Sequence, residues 1–386
     1  MQVVGNGVKN NMKHRERFFT ALDLKEPDCV PITDLGLDPP IVETVLRKEK
    51  GSLFTDTLIS LPADGFWKSE MEKRLAMVEA CRRLDFDAVP AVTDYITVTK
   101  DYKPKFIDDK RFIDQWGRIM QVSIEGKTTY FVGGTVNTPE DLENYDPPNA
   151  FHPDIIEMME RIIKPTKEHD VAVMGQCHSG WHLAFQVRGG IDKISIDLYR
   201  NPGFAKKLFD KIAIACQVFA EAFIEAGVDI LVVGDDYADN HGPLINPTLF
   251  KEYELPKLKK IVDIGKKHGI PVLKHSDGNL YPILDDIVAT GINALHPIEP
   301  GAMDLRDIKK KLGKKICIMG NVDCRHVLPY GTEEDVRTDV RRCIDAAGKD
   351  GGFVLASSNT MHGNVNVDNV YTMVDEARKY GKYPFN

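Results

Sequence analysis

The chain has 386 residues, of which 42% are hydrophobic and 28% charged, and its formal net charge is −8 at pH 7. This length allows one large domain or two ordinary ones, and the composition is that of a soluble globular protein. The negative charge, without any basic cluster, excludes a general affinity for nucleic acid. No apolar run approaches the roughly 20 residues of a membrane span, so we expect no membrane insertion.

The N-terminal segment 1–27 predicts a helical extension, and it lacks the apolar core of a signal peptide. Seven cysteines are spread along the chain without a CxxC pair. An odd number of scattered cysteines is typical of a reducing compartment rather than a disulfide framework. We therefore expect a cytoplasmic protein.

Short apolar runs recur along the chain, and helix-length segments or loops separate them. Continuous apolarity is what a parallel strand buried on both faces requires. Eight such βα repeats predict a (β/α)8 TIM barrel in a single domain, 1–386, with a doubly wound open sheet as the alternative. The runs are VPIT (30–33), FDAVPAVT (86–93), VAVMGQC (171–177), DILVVGDD (229–236), IPVLKHS (270–276), INALHP (292–297), KICIMGN (315–321) and GFVLASS (352–358).

Two helices and one insertion can be read between these runs. Segment 201–227 has Asn201 as a candidate N-cap and Gly227 as its end, and segment 332–348 resembles a capping box. Segment 116–134 alternates in polarity and turns at Glu125-Gly126, which predicts a β-hairpin inserted between the second and third runs.

Polar side chains concentrate where the predicted strands end, which is where such barrels build their sites. Three acidic candidates, Asp235, Asp236 and Asp239, follow the fourth run, and His275 with Asp277 ends the fifth. Two residues apart in extended chain, His275 and Asp277 project from the same face. Glu254 lies on the intervening helix, where Pro256 would introduce a kink that turns it toward the barrel mouth. Oxygen and nitrogen ligands with an open position suit a catalytic zinc.

A second candidate group, Cys177, His178 and His182, follows the third run. Its cysteine has no second thiol at metal spacing, so a small buried residue at a strand end explains it equally well. Each residue of the first group also has a structural explanation: His275 as a hydrogen-bonded core histidine, the aspartates as helix caps, and Glu254 as a solvated helix residue. His296 and His362 are interpreted as loop or core histidines.

Four long segments resemble the uroporphyrinogen decarboxylase superfamily, and together they cover nearly the whole chain. That superfamily has a (β/α)8 barrel and contains porphyrinogen decarboxylases and zinc-dependent methyltransferases that work with corrinoid proteins. The segments are KHRERFFTALDLKEPDCVPI, RGGIDKISIDLYRNPGFAKKLFDKI, GDDYADNHGPLINPTLFKEYELPKLKKIVD and GNVDCRHVLPYGTEEDVRTDVRRCIDAAGKDGGFVLASSN.

The resemblance implies different reactions for different branches. The decarboxylases carry an arginine-rich N-terminal segment that binds substrate carboxylates, whereas here DLGLDPPIVETV is followed by no arginine until Arg47. Methyltransferases that act on thiols use a HxC…C zinc site, whose positions correspond here to His275, Asp277 and Asn359. Because both thiolates are missing, the site is hard rather than soft, which disfavours thiol chemistry.

The third branch consists of ether-cleaving methyltransferases of aromatic O-demethylase systems, whose zinc pattern is Glu, fourteen residues, Glu, twenty residues, His. In this sequence Asp239, Glu254 and His275 have that spacing, with Asp replacing the first Glu. The resemblance therefore implies these three as metal ligands. The fourth ligand is left open between water, substrate, Asp277 and Asp236.

We therefore predict a zinc-dependent methyltransferase that moves a methyl group from a small-molecule O-methyl donor, a methoxylated aromatic, to the cobalt of a corrinoid (cobalamin) held on a partner protein. The alternatives are transfer from methylcorrinoid to a thiol or folate acceptor, decarboxylation, and a non-catalytic binding protein of this fold. A homodimer is left open. The catalytic candidates are Asp236, Asp277 and Asn321, and the substrate-binding candidates are Tyr95, His178, Trp181, Tyr237, Asn359 and Met361.

Overall fold

A computed structural model describes residues 11–53, 64–123 and 128–385. Its central feature is a sheet of seven parallel strands whose neighbours follow each other in chain order, as in a barrel built from βα repeats. Each strand falls within one of the last seven apolar runs. The strands are β1 (Ala88–Thr93), β6 (Ala172–Cys177), β7 (Ile230–Val233), β10 (Val272–His275), β11 (Ala294–His296), β12 (Cys317–Met319) and β13 (Phe353–Val354).

The first apolar run, 30–33, closes the barrel between β13 and β1. Ile32 forms a parallel bridge to Leu355 on one side. On the other side the Asp87 amide donates to the Ile32 carbonyl at 2.7 Å, and the Thr33 hydroxyl donates to the Ala88 carbonyl at 2.7 Å. Seven strands and this closing segment give the eight positions of a (β/α)8 barrel, so the predicted fold class is confirmed.

Helices cover the outside of the sheet and follow the strands in alternation. They are α1 (His14–Leu22), α2 (Pro39–Leu46), α3 (Gly65–Arg83), α4 (Pro139–Asn144), α5 (Pro153–Lys167), α6 (Trp181–Arg188), α7 (Ile191–Arg200), α8 (Pro202–Ala226), α9 (Pro247–Leu249), α10 (Leu255–His268), α11 (Leu284–Ala289), α12 (Leu305–Leu312), α13 (Val327–Tyr330), α14 (Glu333–Ala347) and α15 (Val367–Tyr380).

The two predicted helices form with the ends that the sequence indicates. Helix α14 begins with a complete capping box, in which Thr332 and Asp335 bond reciprocally to each other's backbone amides. Helix α8 ends at Gly227, which adopts the left-handed conformation with φ 99°. Asn201 precedes α8, but its side chain does not cap the helix and instead donates to Asp197 at 3.1 Å.

Residues alternate between the barrel interior and the layer under the helices. Small and medium side chains such as Ala88, Ala172 and Leu273 form the interior cluster, and Phe18 of α1 packs against them. Lys274, next to Leu273, therefore points into the helix layer, where it is fully buried. Its ammonium donates to the carbonyl oxygens of Asp235 and His275, so the buried charge is solvated by backbone dipoles.

The predicted hairpin insertion is larger than the sequence indicates. Strands β4 (Arg118–Ser123) and β5 (Thr128–Gly134) form the hairpin, and its predicted turn at Glu125-Gly126 lies outside the described residues. Two further strands, β2 (Lys105–Phe106) and β3 (Arg111–Ile113), extend it to a four-stranded antiparallel sheet, and β8 (Ala238–Asp239) pairs with β9 (Gly242–Pro243) in a separate two-stranded sheet. Strands of two or three residues carry too little alternation for sequence patterns to show them.

Two general sequence expectations can be compared with this fold. All seven cysteines are buried and none forms a disulfide. Among the described residues, no helix combines the length and the apolar character that crossing a membrane requires.

Candidate metal centre

Three metal-competent side chains meet where β7 and β10 end. Asp236, His275 and Asp277 each offer a ligand atom, and these atoms lie within 4.8 Å of one another. His275 Nε2 is 3.5 Å from Asp236 Oδ1 and 3.8 Å from Asp277 Oδ1. Since β7 and β10 are neighbours in the sheet, the topology brings their C-terminal ends together.

The loops that carry the three side chains are held close together at Gly278. The Asp277 amide donates to Asp236 Oδ1 at 3.0 Å. Gly278 adopts φ 82°, and a Cβ there would lie 2.5 Å from the Asp239 carbonyl oxygen. Only glycine allows this backbone conformation and this approach, so the β10 loop packs directly against the β7 loop.

The hydrogen bonds of His296 assign the tautomer of His275. His296 Nε2 lies 3.2 Å from the Ser357 carbonyl, which can only accept, so this nitrogen carries the hydrogen. Burial and the neighbouring His275 hold the pKa of His296 well below its usual range, so its Nδ1 has a lone pair. His275 Nδ1 is 2.8 Å from that atom and donates to it. The remaining nitrogen of His275, Nε2, faces the two carboxylates.

A neighbouring side chain also orients Asp277, through one of its two carboxylate oxygens. The Asn359 side-chain amide donates to Asp277 Oδ2. The other oxygen, Oδ1, is buried and has no hydrogen-bond partner among the described residues. Burial raises the pKa of Asp277 to about 6. A buried carboxylate oxygen without a partner is costly, and a bound cation would satisfy it.

Proton binding and metal binding compete at His275. Burial opposes the charged imidazolium, but the hydrogen bond and charge of Asp236 raise the pKa of His275 overall. The same pair holds the pKa of Asp236 below its usual range despite burial. Because a metal and a proton need the same lone pair on Nε2, metal affinity must fall as the pH is lowered.

The three ligands predicted from sequence spacing, Asp239, Glu254 and His275, do not come together in the structure. Asp239 is exposed, and its carboxylate accepts from the backbone amides of His241 and Gly242 in its own loop, at 2.8 and 3.1 Å. Glu254 is fully buried, and its Oε1 contacts the hydroxyls of Ser179 and Tyr237 instead. Among the three predicted ligands, only His275 belongs to the group that the structure brings together.

The contacts of Glu254 indicate a neutral acid. Ser179 Oγ has a single hydrogen and lies within bonding distance of both Asp235, at 2.7 Å, and Glu254, so a proton on one of these two carboxyls is needed to satisfy both contacts. Consistently, burial and the charge of Asp235 raise the pKa of Glu254 to about 8. A protonated carboxyl is a poor metal ligand, which agrees with its place outside the metal group.

The other predicted catalytic and substrate residues divide into two sets. Asn359 lies at the metal group, whereas Asn321 is buried and donates to the Ile298 carbonyl at 2.6 Å. Tyr237 faces Glu254, and Met361 is fully buried in the core. Trp181 stacks on Phe209 at 5.7 Å, so it packs between helices.

Tyr95 and His178 belong to a row of rings beside the metal group. The Tyr95 ring stacks on His178 at 4.2 Å, and His178 pairs with Asp94 at 2.9 Å. His182 follows at 5.9 Å from His178, and its Nδ1 is 3.9 Å from Asp236 Oδ2. Burial lowers the pKa of His182 to about 4, so its ring is neutral at pH 7. Cys177, the third member of the second candidate group, is buried, and burial raises the pKa of its thiol.

A cavity of about 540 Å³ opens beside the metal group, and we call it the metal-side cavity. Its polar lining includes Asp277, Glu299, Asp323, Arg325, Asn359 and His362. The volume is in the range of small-molecule sites. Asp277 and Asn359 therefore connect the metal group to a space where a substrate fits.

A barrel with a candidate metal group at the C-terminal ends of its strands is the arrangement of an enzyme active site. The family described as "Uroporphyrinogen decarboxylase (URO-D)" matches residues 120–380. The chain belongs to this family.

Curated relatives carry the decarboxylase name. The chain is 29% identical over 233 residues to a uroporphyrinogen decarboxylase of Aliivibrio salmonicida, a match that covers 58% of this chain and 63% of that protein. It is 24% identical over 269 residues to the corresponding protein of Ruthia magnifica, covering 67% of this chain and 75% of the other.

One solved structure has a similar overall fold. A methyltransferase from Methanosarcina mazei superposes with a TM-score of 0.73 at 18% identity, and the match covers 96% of this chain and 99% of the other. At this identity the similarity establishes the barrel fold. The sequence relatives thus carry a decarboxylase name, and a protein of similar fold carries a methyltransferase name.

Proposed function

We propose that the chain is a methyltransferase that moves a methyl group from an O-methyl donor, a methoxylated aromatic, to the cobalt of a corrinoid carried by a partner protein. The supporting observation is the metal group, in which His275 Nε2 and the unpartnered Asp277 Oδ1 face each other beside a cavity. Zinc is the metal we propose there. When bound, it would act as a Lewis acid on the ether oxygen and so make phenolate a better leaving group.

The donor atoms fit such a metal. Imidazole nitrogen and carboxylate oxygen are zinc ligands, and three protein ligands leave a position for substrate. Asp236, His275 and Asp277 would hold the ion. Their neighbours fix them: His296 keeps the hydrogen on His275 Nδ1, and Asn359 keeps Asp277 Oδ2 occupied so that Oδ1 stays available.

The absence of sulfur from this group supports ether cleavage over thiol chemistry. In the resemblance described above, Asp277 and Asn359 correspond to the cysteines of thiol-directed methyltransferases, and the donors here are hard. Cys324 lines the metal-side cavity, but burial raises the pKa of its thiol, which accepts a contact from the Ser358 hydroxyl at 3.3 Å. It is therefore a neutral thiol outside the ligand set.

Decarboxylation is the second candidate because the curated relatives carry that name. A tetrapyrrole with many carboxylates needs several free cations. In the metal-side cavity Arg325 pairs with Glu299 at 2.9 Å. In a second cavity, under the inserted sheet, Arg118 and Lys73 pair with Asp114 and Glu70. Every lysine and arginine that lines these two cavities is thus already paired with a carboxylate.

Zinc content distinguishes two possible ligand sets. One is the group that the structure brings together, Asp236, His275 and Asp277, and the other is the set predicted from sequence spacing, Asp239, Glu254 and His275. After chelation and reloading with zinc, we expect wild type to retain about one equivalent, and His275→Ala and Asp277→Asn to retain less than about a tenth. Asp239→Asn is the matched control and should load like wild type, because that carboxylate is exposed and bonded to its own loop. Loss of zinc in Asp239→Asn with retention in Asp277→Asn would show that the spacing-based set is correct.

The reaction is tested with purified protein, reduced cobalt(I) corrinoid protein and a panel of methyl donors. We expect methoxylated aromatics to methylate cobalt, monitored by its absorbance, and zinc removal to abolish the signal. A parallel sample receives uroporphyrinogen and is assayed for carbon dioxide. Decarboxylation without cobalt methylation would reject the proposal in favour of the second candidate.

A further inference from the structure

A second cavity, of about 450 Å³, lies between the inserted sheet and the barrel, and we call it the hairpin cavity. Its walls come from helices α3 and α6, the loop after β1, and the inserted strands. Six of its lining residues are aromatic: Phe66, Tyr95, Tyr102, Phe112, Tyr130 and Phe131. Its size and apolar, aromatic walls are those of a small-molecule site.

Two of the tyrosines that line the cavity have hydroxyls without a hydrogen-bond partner. The hydroxyls of Tyr95 and Tyr102 are buried and make no hydrogen bond within the described ranges. Both rings are held in place: Tyr102 packs edge-on against Phe66 at 5.2 Å, and Tyr95 lies between Arg118 and His178. Buried tyrosine hydroxyls normally have a partner, so two unpaired ones on one cavity indicate a ligand that supplies it.

The charged side chains that line the hairpin cavity form ion pairs with each other. Arg118 is 2.6 Å from Asp114, and Lys73 is 2.7 Å from Glu70. Arg118 also donates to the Gln186 side chain at 3.0 Å. Because two positive and two negative groups already pair with each other, the cavity has no net charge with which to hold an ion. A neutral ligand fits it best.

The hairpin cavity is separated from the metal group. Arg118 lies 4.1 Å from the Tyr95 ring, and His178 and then His182 follow on the other side of that ring. None of Asp236, His275 and Asp277 lines the cavity. The rings of Tyr95, His178 and His182 therefore lie between this cavity and the metal group.

We propose that the hairpin cavity is a second binding site for a neutral, planar aromatic compound of the phenol class. Its ring packs among the aromatic side chains, and its hydroxyl bonds to the phenolic oxygens of Tyr95 and Tyr102. The site depends on the geometry of this cavity alone, and it is independent of the function proposed for the metal group.

Calorimetric titration of the metal-free protein with phenol tests the site. We expect one equivalent to bind to wild type and to His275→Ala alike, and cyclohexanol and benzoate to bind at least about 10-fold more weakly. Tyr95→Phe and Tyr102→Phe should each weaken phenol binding about 3- to 10-fold through the lost hydrogen bond. Tyr130→Phe is the matched control, because the Tyr130 hydroxyl on the same cavity already bonds to Gln121 at 2.7 Å.

Several results would overturn the proposal: no saturable phenol binding, equal affinity for benzoate or cyclohexanol, or unchanged affinity in the Tyr95→Phe, Tyr102→Phe double variant. Loss of binding in His275→Ala would place phenol at the metal group and also reject a separate site. Thermal unfolding of each variant shows that it is folded. The cobalt methylation assay is not needed for any of these outcomes, so failure of the function proposed above leaves this test intact.

Discussion

At the scale of single residues, the pair His275 and His296 decides what the candidate metal centre can bind. One imidazole fixes the hydrogen of the other, because the Ser357 carbonyl occupies the far nitrogen of His296. The sequence identifies His275 from its place at a strand end. It gives no sign that His296, interpreted as a loop or core residue, orients it, because only the pairing of β10 with β11 sets these two residues side by side.

Replacing His296 should weaken metal binding without removing a ligand. His296→Phe removes the acceptor for His275 Nδ1, and we expect about a 10- to 100-fold loss of zinc affinity, the usual effect of losing such an outer partner. His296→Asn is the matched control, since its side-chain oxygen can take the place of Nδ1. Competition with a chromophoric chelator measures both affinities. Equal affinities in the two variants would contradict the assigned tautomer.

At the scale of elements, the segment before α10 shows how a local irregularity repositions one side chain. Residues Phe250–Glu254 form a π-helical turn, and α10 begins directly after it with Pro256 in its first turn. Proline is favoured there because it lacks the amide hydrogen that a first-turn residue leaves unbonded. The irregularity thus lies in the π-helical turn before Pro256, and Glu254, the last residue of that turn, contacts Ser179 and Tyr237 rather than the metal group.

Glu254 should make stability depend on pH. Its folded pKa of about 8 exceeds the unfolded value, so the folded state holds a proton that the unfolded state releases as pH rises from about 4.5 to 8. Wild type should therefore lose stability relative to Glu254→Gln across this window, by on the order of 2–4 kcal/mol. Urea unfolding at pH 5 and pH 8 measures the difference.

The control for this prediction is Glu252→Gln, an exposed position in the same turn. It should follow the wild-type pH dependence. A constant stability difference between wild type and Glu254→Gln at both pH values would mean that Glu254 is ionised in the folded protein.

At the scale of the whole molecule, the buried carboxylate of Asp87 links the N-terminal and C-terminal helices at the seam of the barrel, where segment 30–33 closes it between β13 and β1. Asp87 accepts from Arg17 of α1 at 2.7 Å, from Arg378 of α15 at 2.9 Å and from the Ile32 amide at 2.7 Å. These bonds hold the closing segment, the N-terminal helix and the C-terminal helix at β1. Burial opposes the charge of Asp87, but His14 and the two arginines hold its pKa below the usual range.

Asp87→Asn should destabilise the fold strongly. It removes the fully buried charge that Arg17 and Arg378 share, although Asp28 and Asp85 still pair with these arginines. Removing one partner of a buried ion pair typically costs about 3–5 kcal/mol. Asp85→Asn is the matched control, because Asp85 is exposed and also pairs with Arg378, and its surface ion pair contributes about 1 kcal/mol or less. The free energy of urea unfolding at pH 7 measures both. Similar values for the two variants would contradict a special role of Asp87 at the seam.

The sequence alone determined the barrel and the region of its candidate site. Continuous apolar runs separated by helical segments require strands buried on both faces, and polar residues at the ends of those runs mark the mouth. His275, Asp277, Asp236 and Asn359 were all identifiable on that basis. Helix ends at Thr332 and Gly227 were also predictable, because capping depends on neighbours along the chain.

Only the tertiary structure decided which candidates meet. Asp239, Glu254 and His275 have a regular spacing in sequence, but one side chain bonds to its own loop and another turns into a buried network. Strand pairing sets Asp236 and Asp277 against His275, and it places His296 behind it. Counting residues along a chain cannot show these distances, because side-chain direction depends on loop conformation and on contacts between segments far apart in sequence.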